Sequence, residues 1–202
     1  MTSVLPFKPA AIPARVSWEE YQQLDTASPV RLEYVNGQIY AMAGSSRSHN
    51  RISGNVFARL HAALRGKKCE PFTTDMKLRV QLGLEEFGYY PDVMVVCDKK
   101  DRHEHYCVSP TVLFEVLSKS TRRTDQGEKL KAYQQIESLE VYVMIEQVTQ
   151  RAYIHRRSNN RWPEIVEGAD AMLTLDEIEV RLPFADIYDR VDWSAEETEE
   201  AL

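Results

Sequence analysis

A mixed β-sheet flanked by helices, in the α/β or α+β class, is the fold this sequence predicts, and three features predict it. Phe72–Val80 alternates, with Met76, Leu78 and Val80 facing one way and Asp75, Lys77 and Arg79 the other, the period of a half-buried strand. Tyr89–Cys97 and Thr111–Leu117 are nearly unbroken apolar runs, as expected of strands covered on both faces. Two helix-forming stretches stand among them: His49–Leu64, with its stripe of Ile52, Val56 and Leu60, and Asp125–Ile136. Helices interspersed with buried strands have to pack on the faces of the sheet.

The other elements follow from local chemistry. Ser17, with Glu20 three positions on, forms a capping-box pattern that opens a short helix. Arg31–Val35 and Gln38–Met42 flank Asn36-Gly37, the signal of a hairpin closed by a type I′ turn. Gly44–Ser48 is a polar loop into the first long helix, where His49 lies seven residues before Val56, on the inward face. Gly83–Gly88 makes a turn and Cys97–Pro110 a charged loop. Glu140–Ile145 and Arg151–Arg156 read as paired strands, and Glu164–Val166 with Ile178–Leu182 as a further hairpin at the edge.

The 202 residues, 43% apolar and 28% charged, suit one domain over 16–192 with a sizeable core. Residues 1–15, with three prolines, read as a flexible arm, and 193–202 as an acidic tail. No run approaches the roughly 20 apolar residues of a membrane span, and no apolar signal segment opens the chain. Three cysteines are too few and too scattered for a disulfide framework, which points to a reduced, cytoplasmic protein. A net charge of −6 argues against nonspecific coating of nucleic acid but leaves a nuclease open. Cations gather after Glu115, and Lys119, Arg122 and Arg123 are the candidates for nucleic-acid binding.

Chemistry enters with Asp92 and Glu115, acids at the start of one apolar run and inside another. A carboxylate in such surroundings is costly unless a cation compensates it. Two acids on neighbouring strands suit Mg²⁺, or Mn²⁺, which takes one or two carboxylates with waters and phosphate oxygens. Such a pair points to metal-assisted phosphodiester hydrolysis. Cys97, His103, His105 and Cys107 have side chains zinc accepts, yet lack the paired spacing of zinc sites and read as part of a charged loop. No nucleophile elbow, P-loop or dinucleotide fingerprint occurs.

Five pieces recur in order: Leu32-Glu33-Tyr34-Val35-Asn36-Gly37-Gln38, Ser46-Arg47-Ser48-His49, Tyr90-Pro91-Asp92-Val93, Phe114-Glu115-Val116-Leu117-Ser118, and the stretch from Asp125 to Tyr133. Together they resemble the Uma-two family of restriction endonucleases, within the PD-(D/E)XK nuclease superfamily. The resemblance covers about Ser17 to Ile154 and implies a restriction-endonuclease-like core with Asp92 and Glu115 as metal ligands. The superfamily's Glu-x-Lys pattern wants a lysine where Leu117 stands; the resemblance implies that Lys129, on the following helix, takes its place. As a plain surface pair, Asp125 and Lys129 at i,i+4 would contribute only about 0.2–0.5 kcal/mol. Lys77 competes for the role, and Glu33, His49 and Asp75 are possible assisting groups. The expected activity is Mg²⁺-dependent cleavage of DNA, with RNA as a second possible substrate and a homodimer suited to cutting two strands. The alternative is a non-catalytic module on the same fold that binds nucleic acid or protein.

Overall fold

In the computed structural model, residues 15–42 and 44–193 are described, apart from the side chains of residues 160–162. The arm expected at 1–15 and the acidic tail at 193–202 lie almost wholly outside the described residues. Helix α1 (Trp18–Ala27) opens on the expected capping box, in which Ser17 and Glu20 satisfy each other's backbone N–H groups. Strands β1 (Leu32–Val35) and β2 (Gln38–Ala41) form the hairpin, with positive φ at both Asn36 and Gly37 as a type I′ turn requires. Helix α2 (Arg47–Leu64) buries Ile52, Val56, Leu60 and Leu64.

The two strands expected at 72–80 and 89–97 exist, but each is bent across two sheets. Strand β3 (Glu70–Thr73) breaks at a turn before β4 (Lys77–Leu82), and β5 (Glu85–Tyr89) breaks at Tyr90-Pro91-Asp92 before β6 (Val93–Val96). The breaks face each other, because β3 pairs with β6 through Thr73 and Val93 while β4 pairs with β5 through Leu78 and Tyr89. Pro91 has no N–H for a ladder, so the long hairpin folds at this level. The outcome is two sheets in place of the single central one expected.

The five-stranded sheet has the order β2-β1-β5-β4-β7, where β7 is the short Tyr106–Cys107 within the charged loop. The six-stranded sheet has the order β11-β10-β9-β8-β6-β3. In it β8 (Pro110–Leu117) runs parallel to β9 (Val141–Glu146), and the other pairs are antiparallel. Strand β10 (Arg151–Arg156) pairs with β9 as expected. The hairpin expected between 164–166 and 178–182 does not form. Instead β11 (Asn159–Glu167) joins β10, and β12 (Met172–Leu175) pairs with β13 (Val180–Pro183).

The faces of β8 feed two cores. Val112, Phe114 and Val116 meet the apolar stripe of α2, while Leu113 and Leu117 meet Ala132, Tyr133 and Ile136 together with β4 and β5. A third cluster seats α1 on the smaller sheet through Val16, Trp18, Tyr21 and Tyr34. There a Cβ on Gly88 would stand 2.9 Å from both the Trp18 and Tyr21 rings, so only glycine lets α1 lie this close.

Cys69 and Cys97, expected to be reduced, form a disulfide. The register that sets Glu70 against Val96 brings the next residues of the two strands side by side. This also removes Cys97 from any zinc set; His103 stacks on Tyr106, and Cys107 is buried with its thiol pushed up to about 12 by burial. Among the described residues, no helix is long and apolar enough to cross a membrane.

Candidate active site

The fold of the long hairpin fixes the first acid. Val93 pairs with Phe114, so Asp92, one step before β6, lies alongside Glu115 on the adjacent strand β8. Asp92 Oδ2 accepts the Val116 N–H at 2.7 Å and has His49 Nε2 at 3.2 Å. His49 comes from the first turn of α2, whose N-cap Ser46 accepts the His49 N–H and donates its own hydroxyl to Gln147 Oε1 at 2.8 Å. Burial alone would lower the His49 pKa. The hydrogen bond and charge of Asp92, with Asp125 behind, raise it overall.

Glu115 points from β8 toward the helix that follows, and is only 4% exposed. That helix, expected at 125–136, begins earlier and is irregular: α3 (Arg122–Thr124), a π turn over Asp125–Lys129, then α4 (Leu130–Tyr133). The π turn faces Asp125, Lys129 and Tyr133 toward the strand, the kind of local irregularity that tends to occur at functional sites. Lys129 Nζ reaches Glu115 Oε1 at 3.0 Å, Glu33 Oε1 at 3.3 Å and Asp125 Oδ1 at 3.4 Å. Tyr133 donates its hydroxyl to Glu115 Oε1 at 3.2 Å. Glu33, arriving from β1 in the other sheet, also accepts the Tyr90 N–H at 3.3 Å.

The cluster thus holds three carboxylates around one ammonium, with a fourth, Asp92, beside it. Burial pushes the Glu115 carboxyl well up; Lys129 opposes this, while Asp125, Asp92 and Glu33 push it further up. Burial would by itself lower Lys129, but Glu115, Glu33, Tyr133 and Asp125 raise it well above the usual lysine range. Asp125 is raised by burial against the pull of Lys129, whose ammonium stands 3.4 Å from its Oδ1.

This excess of acid is the observation that bears on a metal. Among the described residues, no three His, Cys, Asp or Glu side chains form a ready metal cage. Asp92 and Glu115 nonetheless supply the two carboxylates that Mg²⁺ commonly takes, in a place where added positive charge relieves the repulsion among neighbouring acids. The residues fit the ion.

Of the residues singled out in the sequence, Glu33, His49, Asp92, Glu115 and Lys129 come together. Asp75 and Lys77 do not. Asp75 sits on the turn between β3 and β4, exposed and paired with Arg31, and Lys77 turns inward to Asp25 at 2.8 Å under the rings of Tyr21 and Tyr90. Arg122, one of the candidate nucleic-acid contacts, is engaged by both carboxylate oxygens of Glu146, while Lys119 and Arg123 are exposed. Two groups not singled out as site residues join the cluster: Tyr133, and Asp125, whose i,i+4 pairing with Lys129 also reads as a plain surface pair. The signal for both was the spacing of four residues on either side of Lys129.

Fold and site together define a chain of the restriction-endonuclease-like class, with acids on adjacent strands and a lysine from the next helix. The chain belongs to the Uma2 family, described as "Putative restriction endonuclease", whose model matches residues 18–185. Two proteins of Synechocystis sp. (strain ATCC 27184 / PCC 6803 / Kazusa) are similar. "Uncharacterized protein slr1290" is 31% identical over 76% of this chain and 81% of its own length. "Uncharacterized protein sll1609" is 30% identical over 70% and 81%. A solved structure from Anabaena variabilis ATCC 29413, described as "a putative nuclease belonging to DUF820", superposes with a TM-score of 0.69. It covers 86% of this chain and 97% of that one at 16% identity, which establishes the shared fold.

Proposed function

We propose that this protein is a Mg²⁺-dependent endonuclease that hydrolyses phosphodiester bonds in DNA. The observation that carries the reading is the meeting of Asp92, Glu115 and Lys129 at one corner, with acid in excess of base. Asp92 and Glu115 would hold the ion. When bound, it supplies neutralisation of phosphoryl charge and a lowered pKa for water. Lys129, kept cationic by its three acids, orients the attacking water and stabilises charge that develops on the phosphate. His49 holds Asp92 in place from the opposite side. Glu33 and Asp125 hold the Lys129 ammonium over Glu115. Lys119, on the turn after β8, and Arg123, on α3, would meet neighbouring phosphates. A homodimer would bring two such sites to the two strands of a duplex.

The test is cleavage of supercoiled and linear DNA, and of RNA, by purified protein with Mg²⁺ or Mn²⁺. Wild type should cut DNA, EDTA should stop it, and Glu115→Gln should be inactive while folded. Cleavage of RNA alone would change the substrate. Binding of either polymer without cleavage would establish the non-catalytic module instead.

A further inference from the structure

Each of the two central acids has one oxygen already occupied by the protein. Glu115 Oε1 accepts from both Lys129 Nζ, at 3.0 Å, and the Tyr133 hydroxyl, at 3.2 Å. Asp92 Oδ2 accepts from Val116 N–H and lies against His49. Among the described residues, no hydrogen bond reaches Glu115 Oε2 or Asp92 Oδ1. Tyr133 is fully buried and cannot turn away. Its ring stands edge-on between Tyr89, 5.6 Å away, and Tyr142, 5.1 Å away, and Tyr142 is itself tied through its hydroxyl to the Asp125 carbonyl. Nothing in core packing requires that hydroxyl: a phenylalanine would fill the same space. Among the described residues, that buried hydroxyl bonds to the acid alone.

We propose that Tyr133 is a positioning residue for the metal site: together with Lys129 it ties up one oxygen of Glu115 and so presents the other to a divalent cation, in a single orientation. This deepens the nuclease reading and rests on it. Lys129 alone would leave the carboxylate free to pivot about one contact. A second donor to the same oxygen, from a ring that cannot move, fixes its plane, and outer donors of this kind typically set metal affinity or activity by 10–100-fold.

The experiment compares Tyr133→Phe with Tyr142→Phe, each removing one hydroxyl from a buried ring in the same stack. Mn²⁺ affinity is read by calorimetry on the folded, cation-free protein, beside thermal melts and cleavage kinetics. The expected result is Mn²⁺ affinity about tenfold or more weaker in Tyr133→Phe. In the same variant kcat should fall and KM for DNA hold steady. Tyr142→Phe should melt lower with unchanged Mn²⁺ affinity. Wild-type affinity and kcat in Tyr133→Phe would overturn the proposal while leaving the nuclease reading intact. Equal weakening in both variants would also overturn it, since a general loosening of the stack would then suffice. A wild type that binds no divalent cation would overturn both.

Discussion

Lys77 and Lys129 are buried to nearly the same degree, 4% and 5% exposed, on either side of the corner where the long hairpin changes sheets. Their company differs. Lys77 has one carboxylate, Asp25, whose oxygens also accept the Leu32 N–H at 2.9 Å and the Tyr90 hydroxyl. Aromatic rings close over the ammonium, that of Tyr21 at 4.4 Å. Charge there is balanced and the acid is satisfied, so the arrangement pins α1, β1 and β4 together. Lys129 faces three carboxylates, and a fourth lies alongside. Buried charge that is balanced makes a fastening; on the proposed reading, acid in excess of base makes a place for a cation.

The largest test of this contrast is kinetic. Lys129→Ala should lower DNA cleavage by about 10²–10⁴-fold and keep a Mg²⁺-induced rise in Tm. Lys77→Ala should cut at the wild-type rate per folded molecule. Loss of cleavage in both would erase the distinction. Next comes stability: Lys77→Met leaves Asp25 buried without its cation, and urea unfolding should show a loss of about 3–5 kcal/mol.

The metal response sharpens the comparison further. At Mg²⁺ a hundredfold above its Kd, wild type should gain about 2.7 kcal/mol. Glu115→Gln should abolish that gain, whereas Asp25→Asn should lower the baseline and keep it. A Mg²⁺ effect that survives Glu115→Gln would move the ion elsewhere.

The smallest effect concerns a balanced pair at the edge of the site. Burial would raise the Glu146 carboxyl, but the hydrogen bonds and charge of Arg122 lower it overall. A lowered folded pKa means the stabilisation is present above the unfolded value, near 4.5, and is lost as pH falls through the folded one. Urea midpoints measured from pH 6 to pH 3 should therefore fall more steeply in wild type than in Glu146→Gln. Parallel profiles would show that the pair contributes nothing.

Much of the fold could be read from the chain because its signals are local. The Ser17–Glu20 box, the Asn36-Gly37 turn and the stripe on α2 need no tertiary knowledge. Asp92 and Glu115 were visible for a related reason, as acids among apolar neighbours. The bend was not, because the alternation of 72–80 carries on across the break and Pro91 reads equally well as a strand's first residue. Lys77 competes for the lysine's role in the sequence because the alternation sets it on one face with Asp75; in the fold α1 covers that position and Asp25 takes the ammonium. The Cys69–Cys97 bond depends on a strand register, and Tyr133 on which of several buried tyrosines meets an acid; neither is a property of the local sequence.

The π turn at Asp125–Lys129 holds one residue more than a regular helix needs. Removing one residue from it would let backbone hydrogen bonds run in regular α-form from Arg122 to Tyr133. Because a π turn closes its hydrogen bonds one residue later than an α turn, the flanking halves would keep nearly the same phase. An acid and a lysine now four apart would close to three, still neighbours on one helix face but offset differently along the axis. The surplus residue is thus an insertion the helix absorbs as a bulge, and it tunes the spacing of acid and lysine without turning the rest of the helix.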